Sequence, residues 1–115
     1  MVRVSRERFE EWVGDALDDV PEELMLAMSN VVILVRDQNP DNPHLLGLYE
    51  GVALTRRDTH YAGALPDAIT IYRQPLMAMC ATEEQLRREI RVTVLHEIGH
   101  HFGIDDQRLH ELGWA

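Results

Sequence analysis

The sequence is poor in cysteine, lacks lysine and has no long apolar run. Cys80 is the single cysteine among 115 residues, which excludes an internal disulfide and a cysteine-rich zinc site. All eleven basic residues are arginine, so a lysine nucleophile or Schiff base is excluded. No apolar run approaches the ~18 residues of a membrane span, and the first residues lack the apolar core of a signal peptide. We therefore expect a cytoplasmic protein without a membrane partner.

Basic residues are also few relative to acidic ones. Eleven arginines against twenty acidic residues give a net charge of −9. A field of this sign repels phosphate backbones, so we expect no nucleic-acid partner. Hydrophobic residues make up 45% of the chain and charged residues 27%, which is typical of a globular protein. The length and composition predict a single domain over residues 1–115.

Helical periodicity is clear near the start of the chain. Ser5 is a suitable N-cap, and an apolar stripe at helical spacing runs from Phe9 to Val20. Pro21 then begins a second, shorter helix whose apolar residues include Met25. We expect both helices to pack on the core.

The strongest helical signal lies near the end of the chain. Thr82 and Gln85 form a capping box, and the apolar stripe that follows predicts a helix from Glu83 to about Phe102. Gly103 is placed to end it. The tail Gln107–Trp114 predicts one more short helix that docks on the core.

Three segments between these helices predict strands. Val31–Val35 is apolar throughout and indicates a buried, central strand, whereas Leu45–Leu54 contains two glycines and indicates a short strand with a bulge. Ala68–Tyr72 alternates, which favours a half-buried edge strand. Asp37–Pro43 and Arg56–Pro66 are rich in turn residues and predict loops. We expect an α+β fold, with a small mixed sheet packed on the first helix and the long helix.

The long helix carries the sequence His96-Glu97-Ile98-Gly99-His100. Residues four apart share one helix face, so the two imidazoles can bind one metal ion, and neutral imidazole is a common ligand of Zn²⁺. Glu97 is placed to reach a water on the metal and to act as general base. Gly99 lets another segment pack closely on the helix. His101 lies one position off the ligand face and indicates a packing residue or a partner of a ligand.

A third ligand is needed to complete a zinc site with two histidines and an open position. Gly103 lets the chain turn back, so that Asp106 can approach the metal from another direction. Asp105 is the alternative, because either aspartate could instead cap the tail helix. Two histidines and one carboxylate also suit Fe(II), although the spacing favours zinc.

The pattern His96-Glu97-x-x-His100-x-x-Gly103-x-x-Asp106 resembles the zincin metallopeptidases, and the chain length and layout resemble their small bacterial zincin-like family. The resemblance implies a minimal zincin-like fold with one Zn²⁺ per chain, bound by His96, His100 and Asp106 in a shallow cleft. It implies a zinc-dependent hydrolase in which Glu97 is the catalytic base and the substrate is a peptide or protein. The chain lacks the methionine that metzincins place downstream of the motif.

Two other functions fit parts of the pattern. A small bacterial ribosomal-RNA maturation endonuclease family has a similar ligand spacing, but that family lacks a glutamate at the position of Glu97 and has a third histidine. A zinc-binding interaction domain without turnover is the second alternative.

Zincins hold an extended peptide against a sheet edge beside the metal. Ala68–Tyr72 leads into the motif helix, so we expect it to be that edge. Tyr49 and Tyr72 are candidate donors to the oxyanion.

Overall fold

The computed structural model describes residues 1–58 and 65–113. These residues form five α-helices, three β-strands and a 3₁₀ turn, which confirms the predicted α+β class. Residues 59–64 of the predicted second loop, and Trp114 of the predicted tail helix, lie outside the described residues. The elements in chain order are α1 (Arg6–Asp18), α2 (Glu22–Ala27), β1 (Val31–Arg36), β2 (Gly47–Glu50), the 3₁₀ turn (Leu54–Arg56), β3 (Asp67–Tyr72), α3 (Arg73–Met79), α4 (Glu83–His101) and α5 (Asp106–Glu111).

The helix caps follow the sequence signals. The Ser5 side chain accepts a hydrogen bond from the backbone of Arg8, and the Thr82 side chain accepts one from the backbone of Gln85 at 3.1 Å. In the capping box, the Gln85 side chain accepts its bond from the N–H of Ala81, one residue before the N-cap. The predicted helix starts are therefore confirmed. The prediction that α2 packs on the core holds only in part, because Met25 is exposed and no residue of α2 is fully buried.

The strand order is β1-β3-β2. β1 runs parallel to β3, with Val31 opposite Asp67, and β2 runs antiparallel to β3, with Gly47 opposite Ile71. The predicted positions of two strands are therefore wrong, since Val31–Val35 forms an edge and Ala68–Tyr72 is central. The predicted burial of Val31–Val35 is also wrong, because no residue of β1 is fully buried and Val32 is 40% exposed. An apolar run carries no information on whether both edges of a strand are paired.

Two local predictions near the sheet also need correction. The strand predicted over Leu45–Leu54 is limited to Gly47–Glu50, and its four residues pair with β3 in continuous register without a bulge. Leu54 instead begins the 3₁₀ turn. The apolar segment after β3 forms the helix α3, which the sequence pattern did not predict.

The core lies between the sheet and the two longest helices. α4 packs against α1 and against the strands β2 and β3. Phe9 of α1 and Leu86, Ile90 and Ile98 of α4 are completely buried there. No helix in the described parts of the chain is long and apolar enough to cross a membrane. The packing therefore holds one face of α4 directly against strand β2.

Candidate metal centre

His96 and His100 lie one turn apart on the same face of α4 and are partly buried. Their Nε2 atoms are 3.1 Å apart, and the two rings meet edge to face with centroids separated by 4.7 Å. The helix continues to His101, so the backbone holds both imidazoles in fixed relative positions. Two nitrogen donors are thus directed at one point in space.

The chain turns back sharply after α4 and brings a carboxylate to this point. Gly103 adopts a positive φ of 81°, and the N–H of Ile104 donates to the carbonyl of Gly99. The next residue, Asp105, caps α5, because its Oδ1 accepts a hydrogen bond of 2.9 Å from the backbone of Arg108. The helix α5 then begins with Asp106. A positive φ at the turn is the conformation that glycine adopts at least cost.

Asp106 faces the two histidines, whereas Asp105 is occupied in capping. The Oδ1 atom of Asp106 lies 3.4 Å from Nε2 of His96 and 3.2 Å from Nε2 of His100. Its side chain is 81% exposed, so this side of the group is open to solvent. Of the two aspartates that the sequence leaves as alternatives, the structure brings Asp106 to the histidine pair.

The spacing of these donors fits a zinc ion. His96, His100 and Asp106 each offer one ligand atom, and the three atoms lie within 4.8 Å of one another. A tetrahedral zinc with ligands at 2.0–2.1 Å separates neighbouring ligand atoms by about 3.3 Å. The observed separations of 3.1, 3.4 and 3.2 Å bracket that value. Two imidazoles and a carboxylate are also a donor set that zinc accepts in catalytic sites, with a fourth position left open.

The cleft around these residues, which we call the metal cleft, is lined by His96, Glu97, His100 and Asp106 together with Gly47–Tyr49 of β2. Glu97 is almost completely buried, with 6% of its surface exposed. Burial and the nearby Asp106 carboxylate raise the pKa of Glu97 to about 7, while a backbone hydrogen bond from Tyr49 opposes the shift. A divalent cation held by the neighbouring donors would lower this pKa.

Two glycines allow the elements of the metal cleft to approach closely. A Cβ atom at Gly99 would lie 2.2 Å from Cδ2 of Leu109, which confirms the prediction that another segment packs on this residue. A Cβ atom at Gly47 would lie 2.8 Å from Thr93 and 3.2 Å from Glu97. In the sequence pattern of Leu45–Leu54, Gly47 indicates only a bulge. A glycine inside a strand also signals a close approach, and that signal identifies this site.

A buried polar cluster lies next to the metal cleft, and the sequence analysis did not find it. Asp67 accepts hydrogen bonds from the Tyr49 hydroxyl, from Val52 N–H at 3.1 Å and from Arg57 Nη2 at 2.9 Å. Nδ1 of His101 lies 3.1 Å from the same carboxylate. His101 is completely buried, as expected for a packing residue. No spacing in the sequence links Asp67 to His101, because the two residues meet only through the fold.

The tyrosine hydroxyls are engaged away from the donors. The hydroxyl of Tyr49 donates to Asp67, while the hydroxyl of Tyr72 accepts from Asn39 at 3.0 Å. Tyr72 is not among the residues that line the metal cleft in the described parts of the chain. Tyr72 is therefore not placed to donate to an oxyanion in the cleft, whereas Tyr49 lines the cleft with its hydroxyl donated to Asp67.

Comparisons with known proteins identify the fold and the family of the chain. The chain is similar to a conserved hypothetical protein from Thermus thermophilus, with 21% sequence identity, a TM-score of 0.58 and coverage of 95% of this chain and 97% of the other. At this identity the similarity shows the fold alone. No curated protein matches the chain. The sequence profile of the zincin-like metallopeptidases matches residues 28–114, which include all the residues of the metal cleft. The chain therefore belongs to the zincin-like metallopeptidase family, a family of zinc-dependent hydrolases.

Proposed function

We propose that the protein is a zinc-dependent peptidase that binds one Zn²⁺ per chain through His96, His100 and Asp106. The observation that carries the proposal is the near-equal spacing of the three donor atoms, 3.1–3.4 Å, around one open point. The membership of the zincin-like family supports zinc as the metal and a peptide or protein as the substrate. A bound zinc would polarise the substrate carbonyl and acidify a water molecule.

Glu97 is the proposed catalytic base. Its carboxylate takes a proton from the attacking water, and water oxygen bonds to the carbonyl carbon of the substrate. Glu97 then returns the proton to the leaving amine nitrogen as the C–N bond breaks. Burial of Glu97 against β2 and its hydrogen bond from the Tyr49 backbone keep the carboxylate in one orientation beside the histidines.

The substrate is proposed to lie along the outer edge of β2, which pairs with no other strand in residues 1–58 and 65–113. The carbonyl of Leu46 accepts a hydrogen bond from Tyr72 on β3, and backbone groups alternate in direction along an antiparallel strand. The backbone groups of Gly47 and Tyr49 therefore point away from β3 and border the metal cleft, where the Tyr49 backbone already donates a hydrogen bond to Glu97 and Gly47 is the proposed contact for a peptide. This edge replaces Ala68–Tyr72, which is central in the sheet.

A neighbouring pocket supports a peptide as the occupant. It shares the lining residues His96 and Glu97 with the metal cleft, and it lies between the segment before β2 and the middle of α4. Its apolar lining comes from Leu45, Leu46 and Val92. A side chain of a peptide bound along β2 can bury apolar surface there.

Three further predictions from the sequence are part of the proposal. We propose a single domain over residues 1–115, a cytoplasmic location and no nucleic-acid partner. The net charge of −9 supports the last of these, because it opposes binding to phosphate backbones.

Two measurements on wild type and Glu97→Gln test the proposal. Both proteins should bind one equivalent of Zn²⁺, and only the wild type should cleave members of a peptide library analysed by mass spectrometry. A wild type that binds less than about half an equivalent would reject the metal site. Loss of zinc from Glu97→Gln would make Glu97 a ligand, and full activity in that variant would exclude it as the base. A zinc-loaded wild type that cleaves no peptide would favour the alternative of an interaction domain without turnover.

A further inference from the structure

The 3₁₀ turn Leu54–Arg56 lies beside the metal cleft and contributes its last residue, Arg56, to the wall. Its middle residue, Thr55, packs directly on the turn that ends the motif helix, since a Cβ atom at Gly103 would lie 2.1 Å from the Thr55 hydroxyl oxygen. Arg56 follows Thr55 and lines the cleft together with Glu97 and Asp106. The contact between Thr55 and Gly103 thus fixes the position of this arginine relative to the proposed metal ligands.

The two consecutive arginines of this segment differ in their surroundings. Arg57 is nearly buried, donates from Nη2 to Asp67 at 2.9 Å and donates from Nε to the carbonyl of Val52 at 2.9 Å. These bonds attach the segment to the sheet. Arg56 is exposed to the cleft, and within residues 1–58 and 65–113 its guanidinium makes no hydrogen bond or ion pair, although its backbone N–H donates to the carbonyl of Ala53. Its guanidinium is therefore available to a molecule that enters the metal cleft.

The charges around Arg56 indicate what that molecule carries. Arg56 is the single arginine among the described residues that line the metal cleft. The acidic residues nearby have other roles, because Asp105 caps α5 and Asp106 faces the histidine pair. A guanidinium presents a planar fork of donors that matches a carboxylate with two parallel hydrogen bonds.

We propose that Arg56 binds a carboxylate of the substrate, so that the protein selects peptides with an acidic group close to the bond that is cleaved. The proposal deepens the proposed function and rests on it in taking a peptide as the substrate. The carboxylate belongs to a glutamate or aspartate side chain or to the C-terminus of the peptide. Both sources offer the same two oxygen acceptors to the guanidinium.

Short peptides without a metal-chelating group test the proposal by NMR titration. The probes are acetyl-Ala-Ala-Glu-Ala-Ala-amide, its counterpart with Gln in place of Glu, and acetyl-pentaalanine with either a free C-terminal carboxylate or an amide. Each probe is titrated into wild type, Arg56→Gln and Arg91→Gln, with and without zinc. Arg91 is the matched control, because it is exposed and lies in a groove between α1 and α4 instead of the metal cleft.

We expect one of the carboxylate probes to bind wild type about fivefold more tightly than its amide counterpart and to shift the signals of the metal cleft. The preference should disappear in Arg56→Gln, persist in Arg91→Gln and weaken at high salt. The Glu probe and the free-acid probe distinguish a side-chain carboxylate from a C-terminal one.

Equal affinities of the carboxylate and amide probes for wild type would overturn the proposal. The same conclusion follows if the preference survives in Arg56→Gln, or if the carboxylate probes shift only signals outside the metal cleft. Because the probes need neither zinc nor turnover, the readout is independent of hydrolysis. A carboxylate preference in a protein that cleaves no peptide would reject the peptidase and keep the carboxylate subsite.

Discussion

The carboxylate of Asp67 lies 3.1 Å from Nδ1 of His101, and both side chains are buried. Nε2 of His101 accepts a hydrogen bond from the backbone N–H of Ser29, so the ring proton is on Nδ1 and is donated to Asp67. Burial lowers the pKa of His101, although the hydrogen bond to Asp67 opposes this effect, so the ring is neutral in the folded protein at pH 7. His101 follows the proposed ligand His100 directly. The pair therefore attaches the C-terminal end of the motif helix to the central strand.

Replacement of Asp67 by alanine is the first test of this cluster. The change removes the buried carboxylate that accepts hydrogen bonds from Arg57, His101 and Tyr49. Removing one partner of a buried ion pair costs about 3 kcal/mol or more in the free energy of unfolding. Urea denaturation of Asp67→Ala should show a loss of this size. Asp37→Ala is the control, because Asp37 forms exposed ion pairs and should contribute less than about 1 kcal/mol.

Acid should remove the contribution of Asp67 to stability. Burial alone would raise the pKa of Asp67, but hydrogen bonds from Tyr49, Val52, Arg57 and His101 outweigh it and hold the pKa below its ordinary value of 3.8. The unfolded chain then binds more protons, so the stabilisation is present above about pH 4 and is lost as the pH falls below that value. Unfolding free energies from pH 6 to pH 2.5 should fall less steeply in Asp67→Asn than in wild type. Equal slopes would contradict the lowered pKa.

The two longest helices and the residues of the proposed metal site could be predicted because their determinants are local. The capping residues Ser5 and Thr82 and the pair His96 and His100 all act within one or two helical turns. The turn at Gly103 is equally local, since its positive φ follows from the absence of a side chain. The sequence favours Asp106 as the third metal ligand, and the structure brings this residue to the histidine pair.

The strand order could not be predicted because it depends on contacts between distant segments. The alternation in Ala68–Tyr72 indicates one solvated face, yet Thr70 on that face is buried, and so is Asp67 at the start of β3. Asp67 is buried at low cost because four donors satisfy its carboxylate. The polarity of a side chain therefore predicts solvent exposure, whereas its hydrogen bonds in the fold can allow it to be buried. The position of Arg56 could not be predicted either, because its place in the metal cleft depends on the contact between Thr55 and Gly103, which are distant in the sequence.

Alanine variants of the two adjacent aspartates should distinguish helix capping from metal binding. Asp106→Ala removes a proposed zinc ligand. Loss of a residue that only hydrogen-bonds to a ligand costs 10–100-fold in metal affinity, so we expect the loss of a ligand to lower the zinc affinity at least about 100-fold. Asp105→Ala removes the N-cap of α5 and should cost about 1 kcal/mol of stability with a smaller effect on zinc. Competition titrations with a zinc chelator, together with thermal unfolding of the metal-free proteins, measure both effects. The reverse pattern would make Asp105 the third ligand.

Zinc should stabilise the folded protein, because the three proposed ligands converge only after α4 and α5 have packed together. At a free zinc concentration 100 times the dissociation constant, the gain is about 2.7 kcal/mol. Calorimetric scans with zinc and with a chelator should show a higher melting temperature for the zinc form of wild type. His100→Ala should show no difference between the two scans. A wild type whose melting temperature is unchanged by zinc would argue against this site.

Gly99→Ala tests whether the packing of α5 on α4 sets the metal site. The added Cβ would lie 2.2 Å from Cδ2 of Leu109, a completely buried side chain that cannot swing into solvent. The helix α5 must then move away from α4, and it takes Asp106 at its first position with it. We expect a loss of about 1–3 kcal/mol in stability from overpacking, accompanied by weaker zinc binding.

Gly14→Ala is the matched control, since Gly14 lies inside α1 with no atom within 4 Å of the added Cβ. That change should stabilise the protein by up to about 1 kcal/mol through helix propensity and leave zinc affinity unchanged. If Gly99→Ala lowers stability but binds zinc as tightly as wild type, then α5 does not hold a ligand, and Asp106 would have no role in the metal site.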